Sequence, residues 1–198
     1  MEIAVNLLEC YMPVFTLITE ICAEPEKFND YEITRSSIIK NIEQAVQDSE
    51  RILLSDNECD AAFYAMVVMV DETILCSKLP FCKTWRDNLL QMKYFGHSTG
   101  GVEFFHILDN IIGTKNNAIW IFFFCLSLGF RGKYSVNNGD DIDGYISRLR
   151  SQCNPDCYEV LSIEKKYNKK YKPLLIYSLS VASIVVAYIV MFLFLLSR

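Results

Sequence analysis

Apolar residues recur at helical spacing through most of the chain, and the elements read off that pattern are helices. Between residues 3 and 22 the stripe is Ile3, Leu7, Leu8, Tyr11, Phe15 and Ile18, and Pro25 ends it. A second helix is predicted from Thr34 to Leu54, with Ile38, Ile42, Ala45, Val46, Ile52 and Leu53 as its buried face. Asp56-Asn57 breaks it and offers an N-cap to a third helix over Glu58–Ser77. That third segment is apolar on nearly every side from Ala61 to Val70, as the central helix of a bundle would be. Pro80 starts a fourth helix carrying Trp85, Leu89, Leu90 and Tyr94, and Gly96–Gly101 is a loop. A fifth helix follows through Phe104, Phe105, Leu108 and Ile112, stopped by Gly113. A sixth is predicted over Asn117–Leu128 with Gly129 as its stop. Its core, Ile119–Phe124, has strand propensity, but no partner strand is in sight, so the reading is helix. A loop with Gly132 and Asn137-Asn138-Gly139 leads to a last amphipathic helix with Ile142, Tyr145, Ile146 and Leu149. No repeat or low-complexity tract interrupts this series.

The pattern changes near the end. Pro173–Leu196 contains no charged residue, and these 24 residues make roughly 36 Å of helix at about 1.5 Å per residue, enough for a bilayer core about 30 Å thick. Lys165, Lys166, Lys169, Lys170 and Lys172 precede the stretch, and Ser197-Arg198 follow it. The positive-inside rule then places the N-terminal body in the cytoplasm and makes the apolar stretch a tail anchor inserted after translation. Ser178 with Ala182, and Ser183 with Ala187, are small residues four apart, which lets another helix approach closely. The expected organisation is a helical domain over 1–163, a basic collar over 164–172, a transmembrane helix over 173–196 and a short end at 197–198.

Charge sharpens this division. The 198 residues are 52% hydrophobic and 22% charged, with a formal net charge of −5. Five Lys against one Glu in the collar, together with Arg198, leave the first 163 residues at −10. An acidic body with a short basic collar argues against nucleic acid as a partner and suits a collar that touches anionic lipid. The eight Cys are scattered, mostly in apolar helical stretches where a thiol acts as a small hydrophobe. The N-terminus lacks the basic region of a secretory signal, so reduced cytoplasmic thiols are expected. Cys153 and Cys157 form a C-x3-C with no nearby His, which gives no zinc site.

Candidate chemistry is sparse. Gly96-His97-Ser98-Thr99-Gly100 matches G-x-S-x-G, but a nucleophile elbow needs a strand before the Ser, and the preceding segment reads as helix. A triad also needs an acid and then a distant His; His106 lies only eight residues on. No catalytic, cofactor or metal site is expected, and the chain is not read as an enzyme. Asp71-Glu72 interrupts an apolar helix, where unpaired carboxylates are costly. Two readings stand: one carboxylate faces solvent while the other pairs with an Arg such as Arg86 or Arg131, or the pair forms the polar floor of a docking groove. Phe104-Phe105 and Phe122–Phe124 read as core. The loop Phe130-Arg131-Gly132-Lys133-Tyr134 is basic on an acidic body and is a candidate binding loop.

Several of these segments together resemble one family. Cys125–Tyr134 carries an LSLGF-x-G-x-Y string similar to that of the DotU/IcmH/TssL family. Tyr64-Ala65 followed by Asp71-Glu72, then Trp85, then Gly101-Val102-Glu103-Phe104-Phe105 with Leu108, resemble that family's DE helix and its second helical half. The likeness covers roughly residues 55–150, and the tail anchor fits it. It implies a type VI or type IVB secretion component of the bacterial inner membrane, single-pass, with an all-α cytoplasmic domain of two three-helix bundles forming a hook and a periplasmic end of two residues. It implies partnership with an IcmF/TssM-family membrane protein, self-association and, in type VI systems, contact with baseplate proteins. Residues carried over are Asp71, Glu72, Gly101, Glu103, Phe105, Leu128, Gly129, Phe130, Gly132 and Tyr134. Gly101, Gly129 and Gly132 are expected to serve backbone geometry or the motif itself, Phe105, Leu128 and Phe130 to pack, and Asp71, Glu72, Glu103 and Arg131–Tyr134 to include the partner contacts. Two departures are visible. Asn117, Ala118 and Ile119 stand where many members have a Glu, and the peptidoglycan-binding role of members with a further domain after the span is not expected here. The rival readings are an unrelated tail-anchored helical adaptor and a membrane-anchored serine hydrolase acting through Ser98.

Overall fold

A computed structural model of the chain describes residues 2–52, 54–135 and 140–153, all within one compact unit, Met1–Asn154. The expected collar, the uncharged stretch 173–196, the end 197–198, Leu53, Asn137–Gly139 and Cys157 lie outside the described residues. Among the described residues no helix is long and apolar enough to cross a membrane.

The described chain is helical, with no strand among its elements. Helix α1 runs over Glu2–Ala23, with Pro13 in its interior, and a 3-10 turn over Pro25–Lys27 follows. Helix α2 spans Tyr31–Ser49. It starts before the predicted Thr34 because the Asp30 side chain accepts from the Ile33 amide at 2.9 Å and caps it. It stops at Ser49, short of the predicted Leu54, and Ile52 lies half-buried beyond it. Helix α3 spans Asp56–Cys76, and its cap is Ser55 rather than Asp56-Asn57.

The fourth predicted helix is two short ones, α4 over Cys82–Asp87 and α5 over Leu90–Phe95. Helix α6 spans Gly100–Ile111, so Gly100 and Gly101 belong to a helix and not to the preceding loop. Helix α7 spans Ile119–Ser127, which settles the ambiguous apolar run as helix. A 3-10 turn over Gly132–Ser135 and helix α8, Asp140–Gln152, complete the unit.

Helix α3 is the hub: it packs against α1, α2, α4, α5, α6 and α7. That surround accounts for its composition, since Ala61, Ala62, Tyr64–Asp71 and Ile74 are all buried. A helix covered on all sides shows no polar face, so its period cannot be read from the sequence. Helix α8 does show one: Ile142, Tyr145 and Leu149 are buried at helical spacing. The aromatic core expected at Phe104, Phe105, Phe122 and Phe123 is present, while Phe124 is half-buried.

Candidate functional site

Asp71, at the C-terminal end of α3, has no exposed surface. Its Oδ1 accepts from Trp85 Nε1 at 2.9 Å and from the Leu90 amide at 3.0 Å, and its Oδ2 accepts from the Gln91 amide at 2.9 Å. Leu90 and Gln91 are the first residues of α5, so the carboxylate caps that helix from another element. This explains the break between α4 and α5. Gln91 relays the arrangement: its Oε1 accepts from the Gly100 amide at 3.0 Å, at the start of α6. Burial pushes the Asp71 carboxyl above its ordinary value, and the hydrogen bonds from Gln91, Leu90 and Trp85 hold it down only in part.

Glu72 performs the same task one position on. Its two oxygens accept from the Arg131 amide at 2.7 Å and the Gly132 amide at 2.9 Å, which lead into the 3-10 turn. Burial raises this carboxyl as well, opposed by those two amides and by the Arg131 charge. The expected arrangement of one solvated carboxylate and one side-chain ion pair is therefore corrected. Glu72 does meet Arg131, but through the backbone N–H, and Arg86 is exposed and is not among the donors to either carboxylate.

The string that follows α7 is a helix stop. Gly129 sits at φ 105°, the Phe130 amide donates to Cys125 O at 3.0 Å and the Gly129 amide to Leu126 O at 3.1 Å, which is the Schellman pattern. The stop turns Phe130 inward onto Phe104, with ring centroids 4.2 Å apart. Gly132 then passes close to α6: a Cβ on Gly101 would lie 3.0 Å from Gly132 Cα, and a Cβ on Gly132 2.7 Å from Gly101 O. Lys133 lies over the rings of Phe105 and Tyr134, at 5.3 and 5.0 Å, and Tyr134 meets Phe105 edge-on at 4.7 Å. Leu128 corrects the expectation of packing, being 42% exposed. Glu103 is exposed on the first turn of α6.

A third carboxylate of α3 was missed. Glu58 Oε1 accepts from the Asn117 amide and from Asn117 Nδ2, both at 2.8 Å, just ahead of α7. Its Oε2 accepts from Ser55 N at 3.1 Å and Ser55 Oγ at 2.8 Å. Burial acts to raise this carboxyl, but the bonds from Asn117 and Ser55 prevail and it titrates below its ordinary value. The signal was present: Ser55-x-x-Glu58 is the spacing of a capping box.

Glu58, Asp71 and Glu72 thus each accept backbone amides from a different later element, and none is presented as a free general base. The Ser98 motif lacks an elbow, since α5 and a left-handed Gly96 precede it, and His97 Nδ1 lies 3.2 Å from Thr99 Oγ1. Among the described residues no group of three or more metal-ligating side chains forms. The thiols divide: Cys125 is buried and its thiol pushed up by desolvation, whereas Cys22 and Cys76 are exposed, contrary to the hydrophobe reading. Among the pockets of the described residues, one of ≈ 460 Å³ lies beside Glu72, bordered by Cys22, Cys76, Leu128 and Phe130. Of the expected site residues, Glu72, Leu128, Gly129 and Phe130 line this pocket, Arg131–Tyr134 adjoin it along Gly101 and Phe105 of α6, and Asp71 lies apart, turned to Trp85 and the start of α5.

Known structures share this fold. The cytoplasmic domain of TssL from Acinetobacter baumannii is 26% identical, with a TM-score of 0.65 over 74% of this chain and 96% of that one. SciP/TssL of the type VI secretion system of Escherichia coli Enteroaggregative 042 is 17% identical, with a TM-score of 0.63 over 75% and 88%. DotU from Francisella novicida is 22% identical, with a TM-score of 0.60 over 75% and 98%. The latter two likenesses speak to fold alone. No significant match to a curated protein is found. The family described as type VI secretion system protein DotU matches residues 6–198, nearly the whole chain, and the chain belongs to the DotU family.

Proposed function

We propose that this protein is a structural component of a bacterial secretion-system membrane complex, of type VI or type IVB, anchored in the inner membrane and docking partners at its cytoplasmic face. The observation that carries the reading is the family match over residues 6–198, which runs through the uncharged stretch 173–196 as well as the helical domain. In this reading 173–196 spans the bilayer, Lys165, Lys166, Lys169, Lys170 and Lys172 touch anionic lipid, and domain 1–163 stands in the cytoplasm as a hook of two three-helix bundles. The partners are an IcmF/TssM-family membrane protein, a second copy of the chain and baseplate proteins. The engagement of Glu58, Asp71 and Glu72 in backbone capping supports the reading of these three as scaffold residues. Glu103, Arg131, Lys133 and Leu128 are exposed and are candidate partner contacts in this reading.

Fractionation and co-purification test this. The full chain should partition with the inner membrane, and in mild detergent it should bring down an IcmF/TssM-type protein. A chain recovered in the soluble fraction, or one that never retains such a partner, would overturn the proposal.

A further inference from the structure

A second pocket, of ≈ 480 Å³, opens between the turn after α6 and the end of α8. The turn contributes Gly113, Thr114 and Lys115, and α8 contributes Arg148, Ser151 and Gln152. Gln152 clasps the two segments together: its Oε1 accepts from the Gly113 amide at 2.8 Å and its Nε2 donates to Thr114 O at 2.6 Å. The clasp sets two exposed cations, Lys115 and Arg148, on one opening that no acidic residue lines. Neither cation takes part in an ion pair among the described residues. Arg148 is propped over the Tyr145 ring, 4.5 Å from its centroid. The Asp109 carboxylate, on α6, accepts from the Tyr145 hydroxyl at 2.8 Å and lies outside the lining. Nor do helix ends absorb the two charges. Leu108 O and Ile111 O, at the end of α6, accept from the Ile112 and Thr114 amides, and α8 already has Arg150 in its last turn.

We propose that this pocket holds the phosphate of an anionic phospholipid, so that the end of the domain from which the chain leaves toward its anchor is itself a lipid contact. The proposal rests on the proposed function and sets which face of the domain meets the membrane. Helix α8 ends at Gln152, and 19 residues separate Asn154 from Pro173, where the uncharged stretch begins. That tether reaches about 65 Å when extended, more than a domain of this size is wide, so connectivity alone lets any face meet lipid. Charge then decides. An anionic leaflet repels an acidic body and favours cations, by about fivefold in binding for each Lys or Arg that reaches it. Lys115 and Arg148 offer two such charges on one opening with no carboxylate in the lining, and a guanidinium presents the paired donors that suit phosphate oxygens. An acidic protein segment would suit the same two cations, but once the anchor is inserted lipid is present at high effective concentration.

Photo-cross-linking of the full-length chain in lipid discs tests this. The photo-reactive residue benzoylphenylalanine replaces Ser151, which is exposed in the pocket lining. Discs of phosphatidylcholine alone are compared with discs that also contain phosphatidylglycerol, and the adducts formed on illumination are identified by mass spectrometry. The same label in place of Gln47, exposed on α2 beside Asp48, controls for chance collisions. Lipid capture from Ser151 should rise when phosphatidylglycerol is added, and capture from Gln47 should not. Lys115→Gln and Arg148→Gln should each lower the capture about fivefold, and raised salt should lower it too. Both side chains are exposed, so a melting curve should show these variants folded; the comparison between discs needs neither of them. Capture that ignores phosphatidylglycerol, or that survives loss of both cations, overturns the proposal. So does capture of a co-purifying protein, or of the chain's own acidic residues Asp156, Glu159 and Glu164, in place of lipid. A chain that enters the discs yet captures no lipid sinks this proposal and leaves the anchored component standing; a chain that never enters them removes both.

Discussion

Removal of the Asp71 carboxylate is the most direct probe of how the domain is held together. Asp71→Ala leaves Trp85 Nε1 and the Leu90 and Gln91 amides without their acceptor, all in a site with no exposure. A buried donor stripped of its partner costs about 1–3 kcal/mol, so three give a gross loss of about 3–9 kcal/mol. Relief of a desolvated carboxylate returns part of this, as does a water entering the space. A net loss of about 3 kcal/mol follows, which is a large share of the roughly 5–15 kcal/mol that holds a domain folded. At about 2–4 °C per kcal/mol for a unit of this size, the melting temperature should fall by roughly 6–12 °C.

The assay is urea unfolding of the detergent-solubilised chain by circular dichroism, with a double-mutant cycle against Trp85→Phe. In the Phe background one orphaned donor is already gone, so Asp71→Ala should cost about 1 kcal/mol less there. An Asp71→Ala variant within about 1 kcal/mol of wild type would refute the reasoning, since it would mean that the α5 amides find another acceptor. A full-size loss with no coupling to Trp85 would refute the part assigned to the indole.

Three further outcomes follow from the same geometry. Glu58 titrates below its ordinary value of 4.5, so its contribution is present above that pH and is lost as pH falls through the lowered value; Asp71 and Glu72 are raised, so they favour the folded state at low pH and lose that contribution as pH rises through their raised values. Glu58→Gln should therefore flatten the acid loss of stability below about pH 4.5 in a melting series, and an unchanged slope would count against the Asn117 contact. Gly129→Ala meets no neighbour but must hold φ 105°, a backbone cost of about 1–2 kcal/mol, whereas Gly101→Ala has ordinary dihedrals but drives a Cβ to 3.0 Å from the Gly132 backbone, costing about 1–3 kcal/mol in displaced chain; chemical denaturation of both variants separates strain from contact. Lys133→Gln should cost about 0.5–1 kcal/mol, the value of an exposed cation over aromatic rings, and a neutral result would show that Lys133 is free for a partner.

Much of this domain was legible because its outer helices are amphipathic and its stops are chemically marked. The stripe of α2, the Gly113 and Gly129 stops and the buried face of α8 all follow from period and turn chemistry. What was not legible depends on contacts between distant residues. The break between α4 and α5 is marked locally by Asn88, whose side-chain amide donates to Thr84 O at 3.0 Å, but the cap that starts α5 is a carboxylate 19 residues before Leu90. Asp71-Glu72 stood out as a polar interruption in an apolar helix, and the expectation of an arginine partner was reasonable on cost alone. Backbone amides at helix starts meet the same cost without a second charge, and sequence spacing cannot reveal which amides will arrive. Glu58 was missed because an acidic residue near a helix start looks like ordinary solvated charge; its second role with Asn117 spans 59 residues.

The placement of the three carboxylates solves a problem of short helices. Helix α5 has six residues and α7 has nine, lengths at which an isolated helix is unstable in water because nucleation costs more than so few hydrogen bonds return. Asp71 caps the first turn of α5, Glu58 holds the chain entering α7, and Glu72 holds the 3-10 turn after it. All three acceptors stand on α3, a long helix packed against six others. The string Leu126–Tyr134 belongs to the same unit, because its Schellman stop sets Phe130 against Phe104 and delivers the Arg131 and Gly132 amides to Glu72. The residues through which the chain resembles its family are therefore largely a device for positioning, working from the hub outward. A surface for partners then has to be built from what the device leaves uncovered, and at the ends of α1, α3 and α7 it leaves two exposed thiols and an exposed leucine.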